Sequence, residues 1–579
     1  MTDATPQTGQ TGALLYEKDA YSTEGKRLLG RQAAGESFLR ALVRYGQADT
    51  LFCFTRTREA YDAFCRQITP WANRQRRASW LPAHDLAGLA RAGTLHRPDP
   101  DIGQLAWQRR FHNQRTYSVC GVTHTIASKQ MQQTIGDLLL SPVQSWDAVI
   151  CTSQAVRSAY ARLLEDWGGY LEDRIGRRPV CPVQLPIIPL GIDCTAFPRG
   201  EQAGRLRAVF RERLGIGPQD VAVLFVGRLI FYAKAHPVPL WMALERSAQK
   251  TSRQVHLIQA GWFENQQEEE AFRRASATFA PSVKSHFVDG RAPEVRFGIW
   301  PAADLFVSLS DNIQETFGLT PLEAMANGLP VVVTDWNGYR ESVREGIDGF
   351  KVAVTLPPPG TGLDLAADYL TDHLNYSAYM AHPCMATAVD ADACTRAFIT
   401  LIEQPDLRRR MGDAGRERAE SVYDWQNIIP DYEALWRELA DRRQQAGETA
   451  PLRPGQAPHP LCQDPFALFA HYTPTHLDAG SRLMRSPAAT MELRRRVAAD
   501  WMARYGGDRR LSEELVTELL KLCAAEAVIT AGELLEKLSV RHDTLFSAPH
   551  FYRTLGYLLK FELLRLAPEQ AKIDGRDRK

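Results

Sequence analysis

The sequence lacks three features that would assign it to a special class of protein. None of its ten cysteines forms a CxxC pair, which argues against a structural zinc site and against a disulfide framework. Lysine plus arginine (69) and aspartate plus glutamate (68) leave a net charge of +1, so no nucleic-acid partner is expected. No apolar run is long enough to span a bilayer.

The N-terminal segment MTDATPQTGQTG also lacks the apolar core of a signal peptide. We therefore expect a cytoplasmic protein whose contact with a membrane, if any, is peripheral and at its inner face. Residues 1–12 are expected to be disordered.

Two successive series of short apolar runs alternate with helical patterns. The first contains GALLYEK, DTLFCFTR, TYSVCGVTH, WDAVICTS and PIIPLGIDCTAF, and the second contains VAVLFVG, VHLIQAG, SHFVDG, DLFVSLS and PVVVTD. Continuous rather than alternating apolar runs are typical of parallel strands buried on both faces. The pattern predicts an α/β protein with two doubly wound, Rossmann-like domains facing across a cleft. In such sheets, ligands bind beyond the carboxyl ends of the strands.

The 579 residues exceed the usual size of one domain. The predicted domains are 13–200 and 201–430, followed by a helix over 431–445. The residues 446–464 are rich in Pro, Gly and Ala and are interpreted as a linker, and 465–579 as an all-α domain in which Thr530 and Glu533 form a capping box. A loop-rich insertion is predicted from Val354 to Pro383.

Two cations follow the first strand of the second series, in GRLIFYAK. Gly227 and Arg228 end the strand, and Lys234 lies six residues further on. Arginine binds phosphate oxygens bidentately and lysine adds a point charge, so the pair suits a diphosphate. The alternative is that both are solvated surface side chains.

A loop and a helix start occur together in QETFGLTPLEAMANGLP. Thr320 is predicted as the N-cap, Pro321 as the first helical residue and Glu323 as the third, which is a capping box. The N–H groups at such a helix start can bind phosphate, and Gly318 permits close approach of the backbone. Helix capping offers no role for Glu315, which lies in the preceding loop.

The motifs together resemble the retaining glycosyltransferases of the GT-B fold, glycosyltransferase family 4. The likeness rests on the E-x7-E pair Glu315 and Glu323, on GRL…K, on PIIPLGIDCTAF, on WDAVICTSQAV and on AGRERAESVYDW. It covers roughly residues 10–440 and is strongest from Gly227 to Phe350. It implies transfer of a sugar from a nucleotide-sugar, with retention of anomeric configuration and without a metal ion.

The resemblance also implies roles for single residues. Arg228 and Lys234 would neutralise the diphosphate, Glu315 would bind hydroxyls of the donor sugar, and Glu323 those of the ribose. His124 would lie near the donor sugar, the alternative being a hydrogen-bonded histidine at a strand end. Further donor-side residues are Gly227, Phe317, Gly318, Leu319, Thr320, Asp289 and Arg291, the last two near the base.

The sequence departs from the family on the acceptor side, residues 13–200. The usual glycine pair after the first strand is replaced by a longer loop, in which Gly30 and Gly35 are the nearest candidates. We expect a UDP- or GDP-sugar as donor substrate and no further cofactor. The acceptor is left open among a saccharide, a lipid-linked saccharide and a protein.

Other functions remain open at this point. A nucleotide-sugar epimerase, or a non-catalytic scaffold of the same fold, would share the architecture. The C-terminal helical domain lies outside the family pattern, and its expected role is oligomerisation or partner docking.

Overall fold

The computed structural model describes residues 10–23, 30–542 and 544–568. The chain divides into two compact units, Met1–Pro460 and Leu461–Lys579, and the division falls within the predicted linker. The larger unit contains two six-stranded parallel sheets with helices, which confirms the predicted fold class.

The first sheet has the strand order β3-β2-β1-β4-β5-β6. Its strands are β1 Thr11–Leu15, β2 Thr50–Thr55, β3 Arg77–Pro82, β4 Gly93–His96, β5 Ser118–Val122 and β6 Ala148–Ile150. The helices of this domain are α1 Lys18–Tyr21, α2 Gly30–Tyr45, α3 Arg58–Ile68, α4 Gly103–Arg110, α5 Lys129–Asp137 and α6 Gln154–Ile175. This is the doubly wound order, in which the direction of winding reverses between the first and fourth strands.

The second sheet repeats this order as β12-β11-β10-β7-β8-β9. Its strands are β7 Val221–Val226, β8 Val255–Gly261, β9 Lys284–Asp289, β10 Leu305–Ser308, β11 Val331–Thr334 and β12 Gly349–Val352. Its helices are α7 Gly200–Arg213, α8 Pro237–Lys250, α9 Gln266–Phe279, α10 Pro293–Gly298, α11 Leu319–Ala326 and α12 Tyr339–Ser342. Every residue of β8, β10 and β11 is buried, as the continuous apolar runs predict.

The predicted insertion is more ordered than a loop. Two short strands, β13 Val354–Thr355 and β14 Ala388–Val389, pair antiparallel and enclose the helices α13 Leu363–Leu370 and α14 Tyr376–Ala386. The prediction of a loop-rich segment is therefore wrong for most of its length. Asn375 caps α14 through its side chain, which accepts a hydrogen bond from the Ala378 amide.

The larger unit ends with three helices, α15 Ala391–Glu403, α16 Pro405–Arg418 and α17 Trp425–Gln445, with a π-helical turn at Ala419–Tyr423. Although α17 follows the second domain in sequence, Trp425, Tyr432 and Trp436 pack into the core of the first domain. The Trp425 indole N–H donates to Ser37 Oγ at 2.6 Å. This helix therefore ties the two domains together.

The predicted strand near Ile187 is absent from the sheets of the described residues. Only isolated bridges form there, from Ile187 to Cys151 and from Ile192 to Asp424. Pro186 and Pro189 have no amide hydrogen to donate, which explains why the segment does not extend the ladder.

At the other end of the domain, β1 begins at Thr11, inside the segment expected to be disordered, whereas residues 1–9 lie outside the described part of the chain.

The smaller unit is mainly helical, with three short strands that the sequence analysis did not predict. Its helices are α18 Pro465–Leu468, α19 Met491–Ala499, α20 Trp501–Arg504, α21 Glu513–Ala525, α22 Ala531–His542 and α23 Ala548–Lys560. Its antiparallel strands are β15 Arg482–Arg485, β16 Ile529–Thr530 and β17 Leu564–Leu566. The predicted capping box is present, because Thr530 and Glu533 exchange hydrogen bonds between side chain and amide.

No helix among the described residues combines the length and apolar character needed to cross a bilayer.

A histidine pair, buried at His256 and half-buried at His286, predicts loss of stability in mild acid. His256 Nδ1 lies 3.0 Å from His286 Nε2, and His256 Nε2 lies 3.1 Å from Asp220 Oδ2. Burial lowers the pKa of both histidines, although Asp220 acts in the opposite direction on His256. Because the unfolded chain binds protons first, stability should fall as the pH drops below about 6.5.

We expect the melting temperature to decrease between pH 7 and pH 5, and to decrease less in the variant His286→Phe. Phenylalanine preserves an aromatic ring in the stack but removes one of the titrating groups. The pKa values of His96, His124 and His236 are shifted in the same direction, so the difference between the two melting curves is the informative quantity. Curves with equal pH slopes would contradict the assignment.

Candidate active site

Arg228, Lys234 and Glu315 lie on loops that follow the two strands between which the strand order of the second sheet reverses. The strands β7 and β10 are neighbours, with Phe306 paired to Leu224. The loop after β7 carries Arg228 and Lys234, and the loop after β10 carries Glu315. A crevice opens at this point of a doubly wound sheet, because the connections from the two strands run to opposite sides.

Lys234 and Glu315 form an ion pair in this crevice. Lys234 Nζ lies 3.1 Å from Glu315 Oε2, with the lysine side chain 34% exposed and the glutamate side chain 12% exposed. Glu315 Oε1 also accepts from the amides of Thr316 at 3.2 Å and Phe317 at 3.5 Å. Burial acts to raise the pKa of Glu315, but Lys234 and these hydrogen bonds hold it below its usual value. The carboxylate is therefore ionised at neutral pH.

Two asparagines that the sequence analysis did not identify position the Glu315 loop. The Asn312 side chain is fully buried; it donates to the Lys234 carbonyl at 2.5 Å and accepts from the Glu315 amide at 3.3 Å. Asn337 donates to the Glu315 carbonyl at 2.8 Å. The only sequence signal was a polar residue a few positions after a buried strand, which is common. The contacts themselves preorganise the ion pair.

Arg228, the second cation of the site, is held less firmly than Lys234. Its Nη1 lies 3.7 Å from Glu264 Oε1, and its side chain is 17% exposed. Gly227, just before it, has φ of +155°, a conformation that favours glycine. Since the Glu264 contact is long, the guanidinium can turn toward an anion at modest cost.

The helix α11 does not begin as predicted. Its N-cap is Gly318 rather than Thr320, and its first helical residue is Leu319 rather than Pro321. No side chain caps the helix, so Glu323 is not part of a capping box. The amides of Leu319 and Thr320 lie in the first turn, where a helix can bind an anion.

Glu323 lies in the second turn of α11, partly buried. Its carboxylate accepts no hydrogen bond from the residues that the structure describes. Burial raises its pKa, and the nearby Arg296 only partly offsets this. A partly buried carboxylate without a partner is costly. The observation leaves Glu323 available to hydroxyl donors of a ligand.

Gly318 occupies its position for two physical reasons. Its φ is +88°, and a Cβ atom added there would lie 2.0 Å from Tyr339 Cε1. We expect Gly318→Ala to cost about 1–2 kcal/mol for the backbone alone and more for displacing Tyr339.

The matched control for Gly318→Ala is Gly346→Ala. Gly346 has φ of +71° but open space where a Cβ atom would lie, so only the backbone contribution should appear. Urea unfolding of both variants measures the difference. Equal losses of stability would show that contact with Tyr339 is unimportant.

The pair Asp289 and Arg291 lies at the carboxyl end of β9, which Asp289 terminates. Arg291 Nη2 lies 2.8 Å from Asp289 Oδ2, and its guanidinium carbon lies 6.0 Å from the Trp262 ring centroid. Arg291 lowers the pKa of Asp289 through this hydrogen bond. Both residues line a cleft of about 740 Å³ together with Trp262 and Phe287. Its aromatic and polar walls are suited to a planar base.

The first domain faces this site with the carboxyl edge of its own sheet. Ser153, after β6, donates to the Thr316 carbonyl at 2.9 Å, and the Gln154 amide donates to Glu341 Oε1 at 2.7 Å. These contacts show that the predicted cleft lies between the two domains.

The first-domain candidates are only partly brought to the site. His124 Nε2 lies 2.7 Å from the Pro98 carbonyl, and burial lowers its pKa. Within the described part of the chain it makes no hydrogen bond with Glu315 or Lys234. Gly30 begins α2 and Gly35 lies within it, where an added Cβ would meet the Ala20 carbonyl at 2.1 Å. Gly35 thus permits close packing of α1 on α2, while the loop 24–29 lies outside the described residues.

No cluster of three or more His, Cys, Asp or Glu side chains suited to a metal ion occurs in the described ranges 10–23, 30–542 and 544–568.

Comparison with protein families finds a match over part of this chain. Residues 207–357 match the family described as Glycosyl transferases group 1, and this span contains Arg228, Lys234, Glu315 and Glu323. The match supports glycosyltransferase activity, and it gives no support to the epimerase or to the non-catalytic scaffold.

Curated relatives of this chain include two enzymes named D-inositol 3-phosphate glycosyltransferase. The one from Geodermatophilus obscurus is 26% identical over 368 residues, which cover 61% of this chain and 69% of the relative. The one from Nocardia farcinica is 31% identical over 171 residues, which cover 29% of this chain and 36% of the relative. The likeness to these two relatives thus extends over only part of their length.

Solved structures with a similar chain course include two proteins of low sequence identity. Sucrose-phosphate synthase from Thermosynechococcus elongatus is 20% identical with a TM-score of 0.46, covering 74% of this chain and 99% of that one. Anabaena HepE in complex with UDP is 16% identical with a TM-score of 0.47, covering 73% and 98%. The strand orders described above, rather than these likenesses, establish the fold.

Proposed function

We propose that the protein transfers a hexose from a UDP- or GDP-sugar to a hydroxyl group of an acceptor. The observation that carries the proposal is the Lys234–Glu315 ion pair at the reversal point of a sheet that matches the group 1 glycosyltransferases. An ammonium beside a carboxylate offers a cation to the diphosphate and an acceptor to sugar hydroxyls within one crevice.

In the proposed reaction, the bond between the anomeric carbon and the diphosphate oxygen breaks. The acceptor oxygen forms a new bond to the same carbon on the same face, which gives retention. The acceptor proton passes to the departing diphosphate oxygen. Lys234 and Arg228 stabilise the charge that develops on the diphosphate, together with the uncapped amides at the start of α11.

The proposal includes independence from a divalent metal ion and from any further cofactor. It is supported by the two cations after β7, because they supply positive charge where the diphosphate would lie. His124, Phe317, Leu319 and Thr320 are assigned to the sugar side, Glu323 to the ribose, and Asp289 with Arg291 to the base. Gly30 and Gly35 stay predictions for the acceptor side.

The acceptor is proposed to be a sugar or polyol hydroxyl. Support comes from the names of the curated relatives, which specify D-inositol 3-phosphate, and this compound belongs in the acceptor panel with saccharides and lipid-linked saccharides. A cytoplasmic location, peripheral membrane contact, and docking or oligomerisation through the smaller unit also stay predictions.

The test is a transfer assay with UDP- and GDP-hexoses and this acceptor panel, read by mass spectrometry and by the anomeric coupling constant in NMR. We expect a retained glycosidic product that forms equally well in EDTA. Failure to transfer or hydrolyse any donor would overturn the function. A product with inverted anomeric configuration would overturn the proposal of retention. Activity that is lost in EDTA and restored by Mg²⁺ would overturn the proposal of metal independence.

A further inference from the structure

The helical excursion enclosed by β13 and β14 approaches the candidate active site from the side. Met380, in α14, packs with Ile230 and Ala233 of the loop that carries Lys234. Cys384 Sγ donates to Asp311 Oδ1 at 3.2 Å, at the start of the Glu315 loop. The excursion therefore contacts both loops that build the crevice.

One side chain of the excursion, Tyr376, lies where two candidate segments converge. Its hydroxyl oxygen lies 3.4 Å from Thr125 Oγ1 and 3.5 Å from Gln314 Oε1. Thr125 follows His124 in the first domain, and Gln314 precedes Glu315 in the second. Tyr376 thus bridges the two sides of the cleft next to both candidate residues.

The phenol is protonated and incompletely paired. Burial raises the pKa of Tyr376, while the hydrogen bond with Thr125 and the charge of Arg228 act to lower it. Both oxygen–oxygen distances exceed the 2.5–3.0 Å of a good O–H···O hydrogen bond. The hydroxyl can therefore exchange these weak partners for a ligand.

The position of Tyr376 is fixed from both sides. The Lys129 amide donates to the Tyr369 hydroxyl at 3.3 Å, and the Lys129 ammonium pairs with Asp372. The Tyr369 ring stacks on Tyr379 at a centroid distance of 4.3 Å. These contacts hold α13 and α14 against the first domain, so Tyr376 is preorganised.

We propose that Tyr376 is a specificity-determining residue whose hydroxyl binds a hydroxyl group of the transferred sugar. The phenol lies beside the residue before Glu315 and beside the residue after His124. The sugar is the part of a nucleotide-sugar that lies between the diphosphate and the acceptor side. This inference rests on the proposed function.

Calorimetric titration of Tyr376→Phe with UDP-glucose and UDP, and with GDP-mannose and GDP, tests the inference. The variant removes one hydroxyl and keeps the ring. We expect about five- to tenfold weaker binding of the preferred nucleotide-sugar, the usual effect of one lost hydrogen bond, and an unchanged affinity for the free nucleotide. The matched control is Tyr379→Phe, one turn along the same helix, which should bind both ligands like the wild type.

The outcomes separate this inference from the proposed function. If the wild type binds and turns over a nucleotide-sugar but Tyr376→Phe binds it equally well, the inference fails and the function stands. If the variant loses affinity for nucleotide-sugar and nucleotide alike, the hydroxyl does not act on the sugar and the inference also fails. If the wild type binds none of the four probes and shows no transfer, the proposed function fails first.

Discussion

Replacing Lys234 with alanine is expected to lower the rate of sugar transfer by about 10²–10³-fold while the protein stays folded. The ammonium is the charged group that lies closest to the Glu315 carboxylate in the crevice, and it is the group that would meet the leaving diphosphate. Its loss would remove stabilisation that develops only as the diphosphate departs, so the effect should fall on kcat more than on KM.

The matched control is Lys250→Ala. Lys250 is an exposed lysine at the end of α8, in the same domain, so its loss should change neither transfer nor melting temperature. Steady-state kinetics of the two variants, with circular dichroism to verify folding, makes the comparison. Transfer by Lys234→Ala within a few-fold of the wild type would exclude Lys234 from the reaction.

The variant Glu315→Ala should also reduce transfer by orders of magnitude, for a different reason. It removes the acceptor for sugar hydroxyls and, at the same time, the partner that positions Lys234. Glu315→Gln separates these effects, because glutamine can still accept a hydrogen bond but carries no charge. We expect Glu315→Gln to retain more activity than Glu315→Ala, and the reverse order would contradict a hydrogen-bonding role.

The sequence alone predicts the central strands of the second domain because burial on both faces leaves a clear pattern. VAVLFV, DLFVS and PVVVT are continuous apolar runs, and they form β7, β10 and β11. The edge strand β3 has the sequence RASWLP, and β12 has GFKV. These short, mixed sequences have no such pattern, and their strands form because a neighbouring strand offers hydrogen bonds.

The start of α11 shows how tertiary packing overrides a local signal. Thr320, Pro321 and Glu323 form a good capping box by sequence, yet the helix begins earlier, at Leu319. Gly318 lies against the ring of Tyr339, a residue twenty-one positions away whose contact no local rule predicts. The cap and the ligand interpretations of Glu323 therefore do not compete in this structure.

The non-local parts of the site could not be predicted in the same way. Arg228, Lys234, Glu315 and Glu323 were identified because their motifs together resemble those of a known family, and parallel strands bring the loops that carry them to one edge of the sheet. Asn312 and Tyr376 gave no comparable signal. Their importance depends on which loops fold back on one another, and thus on the tertiary structure.

Replacing Asp147 with alanine is expected to destabilise the first domain by about 3–5 kcal/mol. Asp147 and Arg109 are fully buried, and the two guanidinium nitrogens lie 2.6 and 2.7 Å from the two carboxylate oxygens. The carboxylate also accepts from the amides of Val119 at 2.8 Å and Gln144 at 2.7 Å. Its removal leaves a buried guanidinium without its counter-charge and two amides without acceptors.

The matched control is Asp166→Ala, which breaks the exposed ion pair with Arg162 on α6 and should change the free energy of unfolding little, because water screens the pair. Urea unfolding measures both changes. If Asp147→Ala and Asp166→Ala lowered the free energy of unfolding by similarly small amounts, water or a rearranged partner would have to compensate the charge of Arg109. The double variant Arg109→Met/Asp147→Leu should recover only part of the loss, because it removes the unpaired buried charge but leaves the two amides without acceptors. Asp147 directly precedes β6, and Ser153, which contacts Thr316, follows the other end of this strand. We therefore expect Asp147→Ala to lower sugar transfer as well, and any recovery of stability to be accompanied by recovery of transfer.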